Sequence, residues 1–191
     1  MSAPHETPIP GAAADFAAGL AARLPVLDSA RLRLRAPVLA DFDLWARIFC
    51  GPAGAHLGGP FDRDEAFAEF TAATGLWLLR GHGPWTITAK GTGAALGFAL
   101  IGFEPGDQEP ELGYLLAPEA EGQGLATEAA RLVLDHARAL GLPSLVSYID
   151  ADNAPSAALA RRLGARRDPA AEAAVDHVCH AYRHFGPEIA A

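Results

Sequence analysis

Two short stretches of the chain hold residues whose types and spacing suit chemistry on a phosphorylated ligand. In Glu121-Gly122-Gln123-Gly124-Leu125-Ala126-Thr127, two glycines stand just ahead of an apolar-periodic segment. Glycine lets the backbone turn tightly and come close to a ligand with no Cβ between. Free N–H groups and the dipole at a helix N-terminus attract anions. A pyrophosphate suits such a loop. A dinucleotide fingerprint would need a third Gly or Ala where Thr127 stands, and a P-loop would need Gly-Lys-Ser/Thr after its glycines. The second stretch begins at Asn153. Ser156, Leu159, Ala160 and Leu163 recur there at helical spacing. If Leu159 and Leu163 face inward, Ser156 does too, near the carboxyl ends of adjacent strands, where open α/β sheets bind ligands. Capping of the helix start accounts for Asn153 equally well.

His177, Cys179, His180 and His184 crowd one segment. Strand alternation puts the first two on one face and the last two on the other, so no metal site is expected. Trp45, Trp77 and Trp85 read as core or pocket lining.

The elements that must position these residues follow from periodicity. Arg31-Leu-Arg-Leu-Arg35 alternates strictly and reads as a strand. Helical spacing follows over 41–49, with Asp41 placed to cap it, and again over 62–79. Period 2 then takes over in strands at 85–89 and 96–103, joined by a turn at Lys90-Gly-Thr-Gly93. A strand at 111–116, the glycine loop, a helix at 127–140 and a strand at 145–150 make a βαβ unit, whose strands should be parallel neighbours. A short helix at 155–163 and a strand at 178–185 complete the order. Residues 1–25, rich in Ala and Pro, read as a tail with at most a short helix at 15–24; 26–186 form one domain and 187–191 a second tail.

Bulk properties narrow the function. The 191 residues are half apolar, enough for one substantial core. The net charge of −8 argues against sequence-independent nucleic-acid binding, although Arg161, Arg162, Arg166 and Arg167 offer a local basic cluster. Cys50 and Cys179 alone make no disulfide framework, no apolar run is long enough for a membrane span, and no export signal opens the sequence. A cytoplasmic location is expected, with no membrane partner.

Taken in order, Glu-Leu-Gly-Tyr114, Glu-Gly-Gln-Gly-Leu-Ala126, Thr-Glu-Ala129 and Asn153-x-x-Ser156-x-x-Leu159 resemble the acetyl-CoA-binding core of the GNAT family. The subgroup they are similar to is that of the ribosomal-protein-alanine N-acetyltransferases, whose first strand Leu27-Asp-Ser-Ala-Arg-Leu-Arg-Leu-Arg35 also resembles. The likeness covers residues 26–186. It implies an α/β (α+β) fold: a mixed, mostly antiparallel sheet, with a central parallel pair splayed around acetyl-CoA and flanking helices. It further implies that the amides of Gly122, Gln123, Gly124, Leu125 and Ala126, with Thr127, hold the pyrophosphate. Tyr114 and Leu116 would offer backbone groups to the pantetheine arm, and Asn153 would bond the same arm. Glu121 departs from the Gln or Arg common in the family.

The resemblance also implies the chemistry. An ammonium must lose a proton before attack, and the thiolate must be stabilised as it leaves. Glu111 matches the family's glutamate base, acting directly or through water, and Ser156 is placed to protonate or hydrogen-bond the sulfur. No Cys or Ser sits in a nucleophile elbow, so direct transfer is expected. The expected partner is an amine acceptor, a protein N-terminus or a small molecule, bound at residues 50–60 and 77–85; a homodimer is left open. The alternative is a non-catalytic acyl-CoA-binding or sensing module on the same fold.

Overall fold

The computed structural model describes residues 3–176 and 178–187. Eight strands form one sheet in the order β1-β2-β3-β4-β5-β6-β8-β7. They are β1 (Leu27–Asp28), β2 (Leu32–Arg35), β3 (Pro84–Ala89), β4 (Ala95–Gly102), β5 (Glu111–Leu116), β6 (Leu145–Ile149), β7 (Arg166–Arg167) and β8 (His180–Phe185). All neighbours pair antiparallel except β5 and β6, which are parallel. The helices are α1 (Ala12–Ala21), α2 (Phe42–Phe49), α3 (Arg63–Arg80), α4 (Leu125–Ala139), α5 (Ala154–Arg162) and α6 (Pro169–Ala173).

The sheet separates two apolar layers, and β4 shows how. Ala99 and Ile101 pack with Ala129, Val133 and Ala137 of α4, while Phe98, on the alternate face of the strand, packs with Phe42, Trp45 and Phe70 of α2 and α3. α4 buries Leu125, Ala129, Ala130, Val133, Leu134 and Ala137, a stripe at helical spacing that lays the helix along the sheet. Trp77 and Trp85 meet edge to face at 4.6 Å within the core, so that stretch turns its aromatics inward.

Several expectations change in detail. Asp41 precedes α2, but its carboxylate makes no cap to it. Instead it accepts the Arg35 guanidinium at 2.7 and 2.8 Å, the Thr86 hydroxyl at 2.8 Å and the Val38 amide at 2.9 Å. A buried carboxylate with a cation and two donors in reach is better served there than by a cap on an exposed turn. α4 starts at Leu125, two residues before the position read from periodicity, and the last strand starts at His180 rather than 178. The helix near the N-terminus spans Ala12–Ala21, earlier than 15–24. β1, β7 and α6 are too short to leave a periodic signal. His177 lies outside the described residues.

One ion-paired cluster anchors the approach to β5. Arg183 of β8 forks onto Glu109 at 2.6 and 2.7 Å and also donates to Asp168, with all three side chains largely buried. The Arg183 hydrogen bonds, against the opposing effect of burial, hold the Glu109 carboxyl below its usual range. Burial opposes ionisation of Asp168, but Arg183 and the amides of Ala171 and Ala170 more than offset it. Both carboxylates are therefore easier to ionise in the folded chain, and the stability they confer is full above about pH 5 and lost as pH falls from there through their lowered native values. Arg183→Met should cost about 3 kcal/mol at neutral pH. Urea unfolding across pH 2–7 should also show a shallower acid-side decline for the variant than for the parent.

Candidate active site

The site forms where β5 and β6 part. Their only register pair is Glu111 with Val146, closed by the Val146 amide donating to the Pro110 carbonyl at 3.1 Å. That pattern turns the peptide groups of Leu112, Tyr114 and Leu116 toward β6, because alternate residues of a strand face the same neighbour. Beyond Leu112 they face a gap. Tyr114 and Leu116, the two strand residues expected to offer backbone groups, are thus the ones aimed into it.

The parting is held open by side chains. In regular parallel pairing the Tyr148 amide would donate to the Leu112 carbonyl. Here the Tyr148 amide donates to Glu111 Oε1 at 3.0 Å, and the Leu112 carbonyl accepts from Ser147 Oγ at 2.6 Å. Both orphaned groups are satisfied, and the Glu111 carboxyl sits at the fork. Burial, with the negative charges of Asp107 and Glu104 beyond, pushes that carboxyl up to about 8, although the Tyr148 amide pulls the other way. A carboxyl in that range exchanges protons near neutral pH.

Across the gap, α5 begins with Asn153 as its cap, whose side-chain carbonyl accepts from the Ser156 amide at 3.2 Å. The Asn153 side chain therefore serves the helix start. Tyr114 Oη donates to the Ser156 carbonyl at 3.0 Å, tying β5 to α5. Burial pushes the Tyr114 phenol up to about 12, so it stays a donor. Ser156 is half-buried, and its side chain is also within hydrogen-bonding reach of the Tyr114 phenol. Tyr114 thus links the two predicted catalytic residues, Glu111 on its own strand and Ser156 through the helix backbone.

Below the gap lies the glycine loop. Gly122 (φ 71°) and Gly124 (φ 76°) take left-handed conformations that other residues resist. A Cβ on Gly122 would meet nothing within 4 Å, and one on Gly124 only the Arg31 guanidinium at 3.8 Å. Among the described residues, none of the amides of 122–127 donates to a protein acceptor. Six consecutive free amides at the start of α4, with open space before them, form an anion cradle. Side chains brace it. Arg31 donates to the Gln123 carbonyl at 3.1 Å and pairs with Glu128 at 2.6 Å, while Ser29 donates to the same carboxylate. Glu121 is exposed at the loop's entrance.

The loop after α2 reaches the same end of the sheet. His56, in the turn Pro52–Leu57, lies 2.9 Å from Asp150 and 3.7 Å from Asp152, just ahead of Asn153. These three are the His, Cys and acidic groups that converge within 4.8 Å among the described residues. His180 instead meets Arg167 at 2.8 Å, and His184 meets Ser147 at 3.0 Å. The basic cluster is partly engaged as well, with Arg161 on Tyr182 and Arg167 on Glu172. Sequence reasoning missed Arg31, Ser147, Tyr148 and His184. Arg31 left a trace as part of the alternating strand, and His184 as one of the histidines weighed for a metal.

Comparison with known proteins finds relatives of the same fold. The family model described as an acetyltransferase (GNAT) domain matches residues 31–166. An acetyltransferase structure from Agrobacterium tumefaciens superposes with TM-score 0.80 at 36% identity, covering 85% of this chain and 95% of that one. The ribosomal L7/L12 α-N-protein acetyltransferase RimL, solved with coenzyme A, shares the fold at TM-score 0.67 and 20% identity, over 85% and 98% of the two chains. A mycothiol acetyltransferase from Parafrankia is 33% identical over 134 residues, 56% of this chain. The chain spans 41% of that relative's length.

The fork makes its own prediction. Carboxyl-carbon NMR of Glu111 in the ligand-free protein should titrate near 8 rather than in the ordinary glutamate range about 4.3. Asp107→Asn, which removes a like charge, should move the midpoint down.

Proposed function

The chain belongs to the GNAT acetyltransferase family, and on that premise we propose that it transfers an acetyl group from acetyl-CoA to a primary amine by direct attack. The observation that carries the reading is the run of uncommitted amides at 122–127, set beside a strand pair that opens beyond Glu111. When bound, acetyl-CoA supplies an activated acyl carbon and a thiol leaving group. The protein's part is to hold, orient and move protons.

The amides of Gly122, Gln123, Gly124, Leu125 and Ala126, with Thr127, would hold the pyrophosphate through backbone alone. An exposed Glu121 at the entrance interferes little with such a site. The peptide groups of Tyr114 and Leu116 would take the pantetheine arm as an extra strand would, and the Asn153 amide nitrogen, unused in capping, is available to the same arm. Glu111 takes the acceptor's proton on its carboxyl, one oxygen of which stays fixed by Tyr148. Ser156 Oγ–H is the donor at the leaving end.

Glu111 also bears on the acceptor. Its midpoint near 8 matches an α-amine, whose reference value is about 8, and lies well below lysine at about 10.4. Proton transfer from an N-terminal ammonium is then nearly balanced, which favours a protein or peptide N-terminus, or a small-molecule amine of similar basicity. The acidic surroundings, with Glu104 and Asp107 acting on Glu111, favour a cationic acceptor. The turn at Pro52–Leu57, brought by His56 to the end of β6, is our choice for its far wall. We place the protein in the cytoplasm on two unpaired thiols, and no helix among the described residues is long and apolar enough to cross a membrane.

Binding and turnover test different parts of this reading. Acetyl-CoA should raise the melting temperature while NAD leaves it unchanged. Gly124→Val should abolish that shift, because a branched side chain at φ 76° strains the loop and crowds its approach. With acetyl-CoA and a panel of amines, read by free thiol release, Ser156→Ala should keep affinity and lower kcat about ten- to a thousand-fold. Glu111→Gln should also spare binding; because the Glu111 carboxyl and an α-amine ionise over the same range, its defect should hold steady below about pH 8 and narrow only above it, where the amine is free unaided. Tight binding by the parent with no amine acetylated would instead mark an acyl-CoA-sensing module.

A further inference from the structure

We infer that Ser147, oriented by His184, is the positioning group that keeps β5 and β6 apart beyond Glu111 and so holds the Glu111 carboxyl at the fork; its link to ligand entry rests on the acetyl-CoA reading above. Ser147 is buried at 2% exposure, and its hydroxyl is 2.6 Å from the Leu112 carbonyl and 3.0 Å from His184 Nε2. A serine has one proton to give, and the carbonyl can only accept. The Ser147 proton therefore goes to Leu112, and His184 Nε2–H must donate to Ser147 Oγ. His184 Nδ1 is then the bare nitrogen, and it has no partner in its buried setting. Burial, with the Arg138 charge second, pushes His184 down to about 4, so this arrangement holds across neutral pH.

The consequence lies one residue along. With Ser147 donating to it, the Leu112 carbonyl is satisfied without the Tyr148 amide that parallel pairing would bring, and that amide takes Glu111 Oε1 instead. Removing the Ser147 hydroxyl leaves a carbonyl without a donor, an unfavourable state that returning the Tyr148 amide to Leu112 would relieve. The strands would then zip one step further. Glu111 would lose the hydrogen bond that favours its charged form, and the gap facing Tyr114 would narrow.

The test compares three variants with the parent. Ser147→Ala removes the hydroxyl without adding volume, while Ser147→Thr and Ser147→Val add the same volume and differ only in keeping or losing it. Glu111 is titrated by carboxyl-carbon NMR in the ligand-free protein. The ionisable groups coupled to it are Glu104 and Asp107 of the 103–110 connection, Tyr114 of β5, Tyr148 of β6 and Cys179 ahead of β8, and none of them changes between variants. The Ala and Val variants should titrate about one unit higher than the parent, as loss of one donor to a carboxylate does. They should also bind acetyl-CoA about tenfold more weakly, whereas Thr should stay with the parent on both measures. Midpoints in Ala and Val equal to the parent's overturn the inference, whether or not binding falls. A parent that fails to bind acetyl-CoA while the midpoints shift as described overturns the acetyl-CoA reading alone and supports the role of Ser147.

Discussion

A parallel strand pair that continued beyond Glu111 and Val146 would join the Tyr148 amide to the Leu112 carbonyl. In this protein each of those groups bonds a side chain instead, the amide to Glu111 and the carbonyl to Ser147. Buried peptide groups are costly to leave unpaired, so two strands cannot simply diverge inside a sheet. Something must replace each lost ladder bond. The replacement opens the gap that an extended ligand arm can enter, and it also sets a carboxyl at the mouth of that gap, with one oxygen fixed and its proton affinity raised by burial. Strand geometry and proton chemistry are thus consequences of the same exchange of partners.

The other elements of the site serve the opening. Tyr114 bridges it to α5 without closing it, since its hydroxyl meets a carbonyl of the helix rather than a strand. The glycine loop brings the first turn of α4 below it with amides uncommitted, and the Arg31–Glu128 pair braces that loop through the Gln123 carbonyl. Exposed ion pairs add little to stability. This one earns its place by direction: pulling on the Gln123 carbonyl points the neighbouring amides the other way. At the far end of the sheet, Arg183 gathers Glu109 and Asp168 and so fixes the chain two residues before Glu111.

The charge distribution is uneven in a useful way. The proposed phosphate cradle would rely on backbone dipoles, with Arg31 as the nearby cation, so an acidic chain could still hold an anion there. The end proposed for the amine gathers carboxylates, and their mutual repulsion with Glu111 raises that group's affinity for its proton. A ligand with an anionic tail and an acceptor with a cationic head therefore meet complementary fields from opposite ends of the gap.

How much of this was legible beforehand depends on distance along the chain. Periodicities of two and 3.6 are properties of a few consecutive residues, and they located β2 to β6 and α2 to α5 to within about two residues. Glycines ahead of a helix and a serine on an inward helix face are equally local, which is why the Gly122–Gly124 loop and Ser156 stood out, whereas Glu111 was singled out by the family resemblance. The partners of those residues did not. Asp41 looks like a cap until Arg35 and Thr86 arrive from neighbouring strands, and Ser147 is an unremarked strand residue until His184, 37 positions away, donates to it. Arg31 meets Glu128 across 97 positions. Local sequence determined which backbone shapes each segment would take, because steric and hydrogen-bonding preferences act over one or two turns. Only the tertiary structure decided where β5 and β6 would part, because an orphaned peptide group takes whichever side chain the strand order and register bring within reach.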